Sequence, residues 1–221
     1  KEGSVFITTS QDQTEGILIA LGCETDFVAK NEDFQALGNS IVQAAKENNP
    51  RNLEALKSIK LGDYTIGEKV TEMVGKIGEK IEILAYEKLT GEAVVPYIHA
   101  GSKLGVMVAL EGVNGTTVEE AGKDVAMQIA AMKPLGVDKD DIDQEIVNRE
   151  IEIGKEQARA EGKPEDLLEK IATGKLNKFF KENTLLNQSY VKDNSLTVAK
   201  YLDGVKTGLT VSAFKRVAIG G

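Results

Sequence analysis

Two apolar runs share one pattern along this chain: Gly16, Ile17, Leu18, Ile19, Ala20, Leu21 and later Gly105, Val106, Met107, Val108, Ala109, Leu110. Each follows a β-rich segment and a polar turn, Val5–Thr9 then Ser10–Thr14 in the first copy and Val94–Ile98 then Ala100–Lys103 in the second. Each copy therefore opens with a predicted β-hairpin, and the recurrence marks an internal repeat. A helical period follows each hairpin, with Phe34, Leu37, Ile41 and Ala45 on one face in the first copy and Val118, Ala121, Val125 and Ile129 in the second. The connectors differ. Glu111–Thr117 suffices in the second copy, whereas Gly22–Glu32 in the first is about four residues longer than a compact unit tends to need. The excess carries Thr25, Asp26, Phe27 and Val28, placing a bulky apolar residue beside an acid where strand passes to helix.

The first copy continues with helical spacing over Thr65–Ile77 (Ile66, Val70, Val74, Ile77) and a strand pattern over Ile81–Leu89. The second ends with a short helix over Leu196–Leu202, for which Ser195 is the expected N-cap, and a β-branched closing strand over Thr210–Ile219. The expected fold is α+β: two tandem, related β-β-α-β subdomains, each an antiparallel sheet covered on one side by helices. The expected division is 1–90 and 91–221, the second subdomain containing a helical hairpin over about 138–182. That insertion pairs a charged helix over Asp138–Glu161, with Ile142, Ile146 and Ile153 roughly in line, with a second helix. Gly162, Lys163 and Pro164 form the turn, and Leu168, Ala172, Leu176 and Phe179 trace a narrow apolar seam. An antiparallel hairpin of this kind serves as structural decoration or as a docking arm.

Composition narrows the function. A net charge of −8 and a pI near 4.9 disfavour nonspecific binding to a phosphate backbone. One cysteine, Cys23, allows no intrachain disulfide and predicts a reducing compartment, hence a cytoplasmic protein. No apolar run approaches the roughly twenty residues that span a bilayer. The opening at Lys1 rather than methionine leads to the expectation that N-terminal residues have been removed or left out.

Candidate chemistry is sparse. With one histidine, His99, no ordinary triad or His/Cys metal cluster can be assembled, and Gly174-Lys175 is followed by Leu176, which has no hydroxyl to offer Mg²⁺ in a P-loop. Cys23 reads as a small buried residue, since no base can be assigned to it. The expectation is a protein that is not an enzyme and carries no metal, cofactor or catalytic group. On pattern alone Phe27 is equally a core residue, with Asp26 capping the next helix; His99 is a hairpin surface residue, Ile77 a packing residue and Gly78 a helix stop.

The stretch Cys23–Asn31, followed by Glu32, Asp33 and Phe34, resembles the signature of the elongation factor Ts family, the guanine-nucleotide exchange factors of translation elongation factor Tu. Lys76, Ile77, Gly78, Glu79 with Ile81 resembles the family's K-I-G-E segment, and Tyr97, Ile98, His99 with Gly105 and Val106 its histidine-bearing hairpin. Gly162-Lys163-Pro164 and Asn187–Val191 sit where the family has its coiled-coil turn and the return to the core. The likeness covers nearly the whole chain, in family order. It implies two related α/β subdomains with a coiled-coil hairpin and elongation factor Tu, a GTPase, as partner. The family's small N-terminal helical domain is expected to be missing from this sequence.

By the same resemblance, Thr25, Asp26, Phe27 and Val28 form a partner-binding tip, of which Asp26 and Phe27 are expected to enter the Mg²⁺ side of the partner's nucleotide pocket. Ile77, Gly78, His99 and Val191 match further partner-binding positions. Self-association into a homodimer is left open. Two other readings stand beside this one. Gly75, Lys76, Ile77, Gly78 superficially matches the G-x-x-G loop of KH nucleic-acid-binding modules, and the chain is also consistent with a Tu-binding protein that lacks efficient exchange.

Overall fold

The computed structural model describes residues 1–220, so Gly221, the last residue of the expected second subdomain, lies outside the described residues. In chain order the strands and helices are β1 (Glu2–Thr9), β2 (Glu15–Cys23), α1 (Asp26–Ala29), α2 (Glu32–Asn48), α3 (Leu53–Lys57), β3 (Lys60–Leu61), β4 (Tyr64–Thr65), α4 (Ile66–Ile77) and β5 (Glu82–Thr90). There follow β6 (Ala93–Ile98), β7 (Leu104–Glu111), α5 (Glu119–Met132), α6 (Gln144–Ala160), α7 (Leu168–Asn183), β8 (Ser189–Tyr190), β9 (Asp193–Thr197), α8 (Val198–Val205) and β10 (Thr210–Ala218).

The two apolar runs are the central strands of two three-stranded sheets, ordered β1-β2-β5 and β6-β7-β10. In each, a hairpin supplies two strands and a later strand, reached through helices, pairs with the second. This is the expected β-β-α-β repeat and an α+β fold. The polar turn before β2 is built by Asp12, whose carboxylate accepts the Thr14 amide and the Ser10 and Thr14 hydroxyls.

The described residues form two compact units, one of residues 1–130 with 212–220 and one of residues 131–211. Apart from Thr210 and Val211 at the start of β10, both sheets belong to the first unit, and residue 90 stands at the passage from one sheet to the other. In the first unit the side chains of β2 alternate between two dry faces. Ile17, Ile19, Leu21 and Cys23 join Phe6, Phe34 and Ile41 in a core under α2 and α4. Leu18 and Ala20 join Val5, Val94, Met107 and Ala109 between the two sheets. The first sheet thus has helices on one face and the second sheet on the other, and α5 lies against β6 of the second sheet, where a Cβ at Gly122 would meet Val95. Burial on both faces is why the two strands read as unbroken apolar runs rather than alternating ones.

The helix α2 approaches β1 closely where it has no side chain: a Cβ at Gly38 would lie 2.1 Å from Cζ of Phe6. Its start is fixed by Asn31, whose side chain accepts the amides of Asp33 and Phe34.

In the second unit α6 and α7 pack against each other as the expected hairpin. The expected helix over Asp138–Glu161 starts later: Asp138 opens a separate short turn, Asp143 caps α6, and Ile142 lies before the helix. The buried line on α6 runs through Gly154 and Ala158, and Ile153 is 42 % exposed, so the expected alignment of Ile142, Ile146 and Ile153 does not hold. The reason is close packing: Gly154 faces Ala172 of α7, and small residues at the crossing leave the neighbouring bulky side chain outside. Ser195 is likewise not the N-cap of α8. The Asp193 carboxylate captures both its amide and its hydroxyl, so the helix starts two residues later on Thr197, whose hydroxyl accepts the Lys200 amide. Stacked Tyr190 and Tyr201, 4.2 Å between ring centroids, join the β8–β9 hairpin to α8.

Among the described residues no helix is long and apolar enough to cross a membrane.

Candidate functional site

The last pair of the β1–β2 ladder is Glu2 with Cys23, after which the chain leaves the sheet and its amides need new acceptors. Thr25 caps the single turn α1: its backbone is extended (φ −121°, ψ 156°) and its hydroxyl accepts the Val28 amide at 3.3 Å. The turn closes as the Lys30 and Asn31 amides donate to the carbonyls of Asp26 and Val28, and the Gln35 side chain donates to the Ala29 carbonyl. Val28 points into the core beneath α2. Phe27 points the other way and is 83 % exposed, the most exposed of the large hydrophobic residues. Asp26 is exposed beside it. Phe27 is therefore not a core residue, and the cap is Thr25 rather than Asp26.

The second segment comes from α4. Thr65 and Glu68 form a capping box at its start, and at its end Gly78 adopts a left-handed conformation (φ 83°, ψ 14°) with its amide on the Val74 carbonyl. That turn carries the next residue toward the tip. The Glu79 carboxylate accepts the amides of Glu24 and Thr25, both at 3.1 Å, on Oε1, and the Thr25 hydroxyl at 2.7 Å on Oε2. In return Glu24 Oε2 accepts the Lys80 amide at 3.1 Å, and Lys76 pairs with Asp33 at 3.0 Å. The hydrogen bond from the Thr25 hydroxyl, helped by the two amides and opposed by desolvation, holds the Glu79 carboxyl below its ordinary range. Ile77 is half-buried against the α2 side of the core, while Gly78 lies exposed at the corner. Gly75, Lys76 and Ile77 belong to the last turn of α4 and Gly78 caps it, so these four residues form no G-x-x-G loop of the KH kind.

His99 lies in the β6–β7 turn, exposed, with Nδ1 2.8 Å from the Tyr97 hydroxyl. That turn is fixed to the other sheet: the Val5 amide donates to the Ser102 carbonyl, and Lys103 pairs with Glu2 at 2.8 Å. Because Glu2 lies opposite Cys23, the histidine turn and the Phe27 tip leave the stacked sheets at the same end. Val191 belongs to the second unit, 44 % exposed in the β8–β9 turn.

Cys23 is buried, and its thiol donates to the Thr25 carbonyl at 3.2 Å. Burial, reinforced by the nearby Glu79 and Glu2 charges, pushes its pKa up, so it is a poor nucleophile at neutral pH. Among the described residues no three His, Cys, Asp or Glu side chains are grouped to hold a metal ion. An open groove of about 790 Å³ lies along the first half of α4 and is lined by none of the site residues. The tip is a convex apolar wedge, a shape suited to entering another molecule's cleft. Glu79 stands in sequence only as part of the K-I-G-E segment, and its role at the site is not legible there because its partners Glu24 and Thr25 are 55 and 54 positions away.

The class of protein is a translation elongation factor: the family model described as elongation factor TS matches residues 24–221. The chain is 56 % identical over 219 residues to the elongation factor Ts of Cytophaga hutchinsonii, and 52 % identical over 219 residues to that of Amoebophilus asiaticus. It is 46 % identical over 220 residues to that of Christiangramia forsetii. Each alignment covers 99 % of this chain and 79 % of the relative. The chain belongs to the elongation factor Ts family, the nucleotide exchange factors of elongation factor Tu.

Proposed function

We propose that this chain promotes GDP release from elongation factor Tu by inserting the Asp26-Phe27 tip at the Mg²⁺ and phosphate side of the partner's nucleotide site. The single observation that carries the reading is Phe27, 83 % exposed on a turn capped at both ends and fastened to two other segments. An isolated one-turn helix is unstable in water, so this rigidity comes from its surroundings and is already present before a partner arrives. Asp26 and Phe27 make the contact, while Thr25 and Val28 set the turn that displays them. Ile77, Gly78 and His99 extend the contact surface, and Val191 adds a contact from the second unit.

Burying the Phe27 ring in the partner is worth about 1.5 to 3 kcal/mol, enough to displace partner side chains and disturb Mg²⁺ coordination. The protein acts by contact, without covalent chemistry of its own. It lowers nucleotide affinity because it binds the nucleotide-free form of Tu better, and linkage requires nucleotide to weaken its own binding by the same factor. A coupling of about 3 kcal/mol corresponds to roughly 150-fold.

The test is release of a fluorescent GDP analogue from Tu, chased with excess GDP, with and without the chain and its Phe27→Ala variant. Acceleration by the parent that the folded variant loses supports exchange through the tip. Binding without acceleration means the chain is a Tu-binding protein and not an exchange factor.

A further inference from the structure

We infer that Glu79 is the positioning residue of the tip: by gripping the backbone of Glu24 and Thr25 and the Thr25 hydroxyl, it fixes the direction in which Phe27 meets the partner. The inference rests on the exchange reading above and adds to it a residue that need not touch Tu.

Beyond Cys23 the ladder ends, and the N–H groups of Glu24 and Thr25 both turn to one carboxylate oxygen of Glu79. Thr25 then has two tasks on one hydroxyl. It must accept from the Val28 amide to start α1, and it donates to Glu79 Oε2 at 2.7 Å. An ionised carboxylate only accepts, so it dictates where the Thr25 proton points and leaves the oxygen lone pairs turned to Val28. Hydrogen bonds to an ionised acceptor are also about twice as strong as neutral ones. Val28, the next residue but two, is the only member of the turn buried in the core. Phe27 therefore takes its direction from the base of the turn, where Glu79 sits. The grip is reciprocal, since Glu24 Oε2 accepts the Lys80 amide. Gly78 lets the chain leave α4 at an angle that aims Glu79 at the tip, linking two segments 54 residues apart.

The experiment compares Glu79→Ala and Glu79→Gln, each with and without Phe27→Ala, in the chain as it stands. GDP release from Tu is read as maximal rate and as the concentration for half-maximal effect, alongside amide hydrogen exchange of each free variant. Glu79→Ala is expected to lower the maximal rate roughly tenfold, the scale of losing a charged hydrogen bond, with a smaller change in half-maximal concentration. Glu79→Gln keeps a carbonyl oxygen for the two amides but puts an N–H₂ donor where the Thr25 hydroxyl donates, so its rate is expected to fall between those of Glu79→Ala and the parent. In the Phe27→Ala background Glu79→Ala costs little more, because there is no ring left to aim. Amides of Glu24, Thr25 and Val28 lose protection in Glu79→Ala, while those of α2 and β2 keep theirs and report an intact fold.

Unchanged protection at Glu24, Thr25 and Val28 overturns the inference whatever the exchange rate. So does a rate loss that persists in full without Phe27, which would mark Glu79 as a direct contact or a general stability residue. If the parent itself fails to speed GDP release, the exchange reading fails, and the protection data alone then decide whether Glu79 holds the tip.

Discussion

Replacing Phe27 by alanine separates two roles that an aromatic residue can have. In the free protein the ring is 83 % exposed, so its removal uncovers almost no core. The caps of its turn are untouched, since Thr25 still accepts from Val28 and Val28 still fills its place. The stability change is therefore expected within about 0.5 kcal/mol, as at other surface positions away from special features, and equilibrium unfolding in urea measures it. In the proposed complex the ring passes from water into the partner. The loss of about 1.5 to 3 kcal/mol of transfer free energy lowers exchange efficiency by roughly tenfold to 150-fold. The assay is fluorescent GDP release from Tu at limiting concentrations of the chain. Phe27→Leu should fall between parent and alanine, because it keeps part of the apolar area. Two results refute the reasoning: a variant destabilised by several kcal/mol, which would put the ring in the core, or a folded variant with parental exchange.

Gly38→Ala should destabilise the protein by about 1 to 3 kcal/mol, lowering the urea midpoint, even though alanine ordinarily favours a helix over glycine by about 1 kcal/mol. The new methyl group would stand 2.1 Å from the Phe6 ring, itself buried in the core, so the ring must be displaced; a raised midpoint contradicts the packing described. The tip should also respond to acid. Glu79 has a lowered pKa in the folded protein, so its contribution is complete above the ordinary carboxylate value of about 4.3 and fades as pH falls through its lower folded value. The amide resonances of Glu24 and Thr25 should hold steady from neutral pH down to the ordinary carboxylate value of about 4.3 and move together at lower pH than an unperturbed glutamate would; movement near pH 6 would contradict the clamp.

Much of this architecture was legible because it rests on local regularities. The repeated apolar runs located both central strands, and helical spacing located α2, α4 and α5. Capping was less legible. Ser195 looks like a helix start in isolation, yet Asp193, two residues before it, takes its hydrogen-bonding groups. The line of isoleucines on α6 was misread for a related reason: the crossing with α7 is set by Gly154 and Ala172, whose small size leaves no apolar signature. At the site, the residues around Phe27 could be quoted from the motif, but whether the ring faced in or out could not. That depended on which of Phe27 and Val28 the first turn would bury. The Glu79 clamp was invisible in sequence, because nothing local ties an acid after α4 to amides at the end of β2.

The most direct test of the account is the affinity of this chain for Tu measured twice, by calorimetry or a labelled-protein titration, once with nucleotide-free Tu and once with Tu saturated by Mg²⁺ and GDP. Exchange by preferential binding predicts much tighter binding to the nucleotide-free form, on the order of 150-fold for a coupling of about 3 kcal/mol. The same factor must appear when the affinity of GDP for Tu is measured with and without the chain. Equal affinity for the two forms of Tu would contradict the account, since a protein that does not distinguish them cannot drive GDP off.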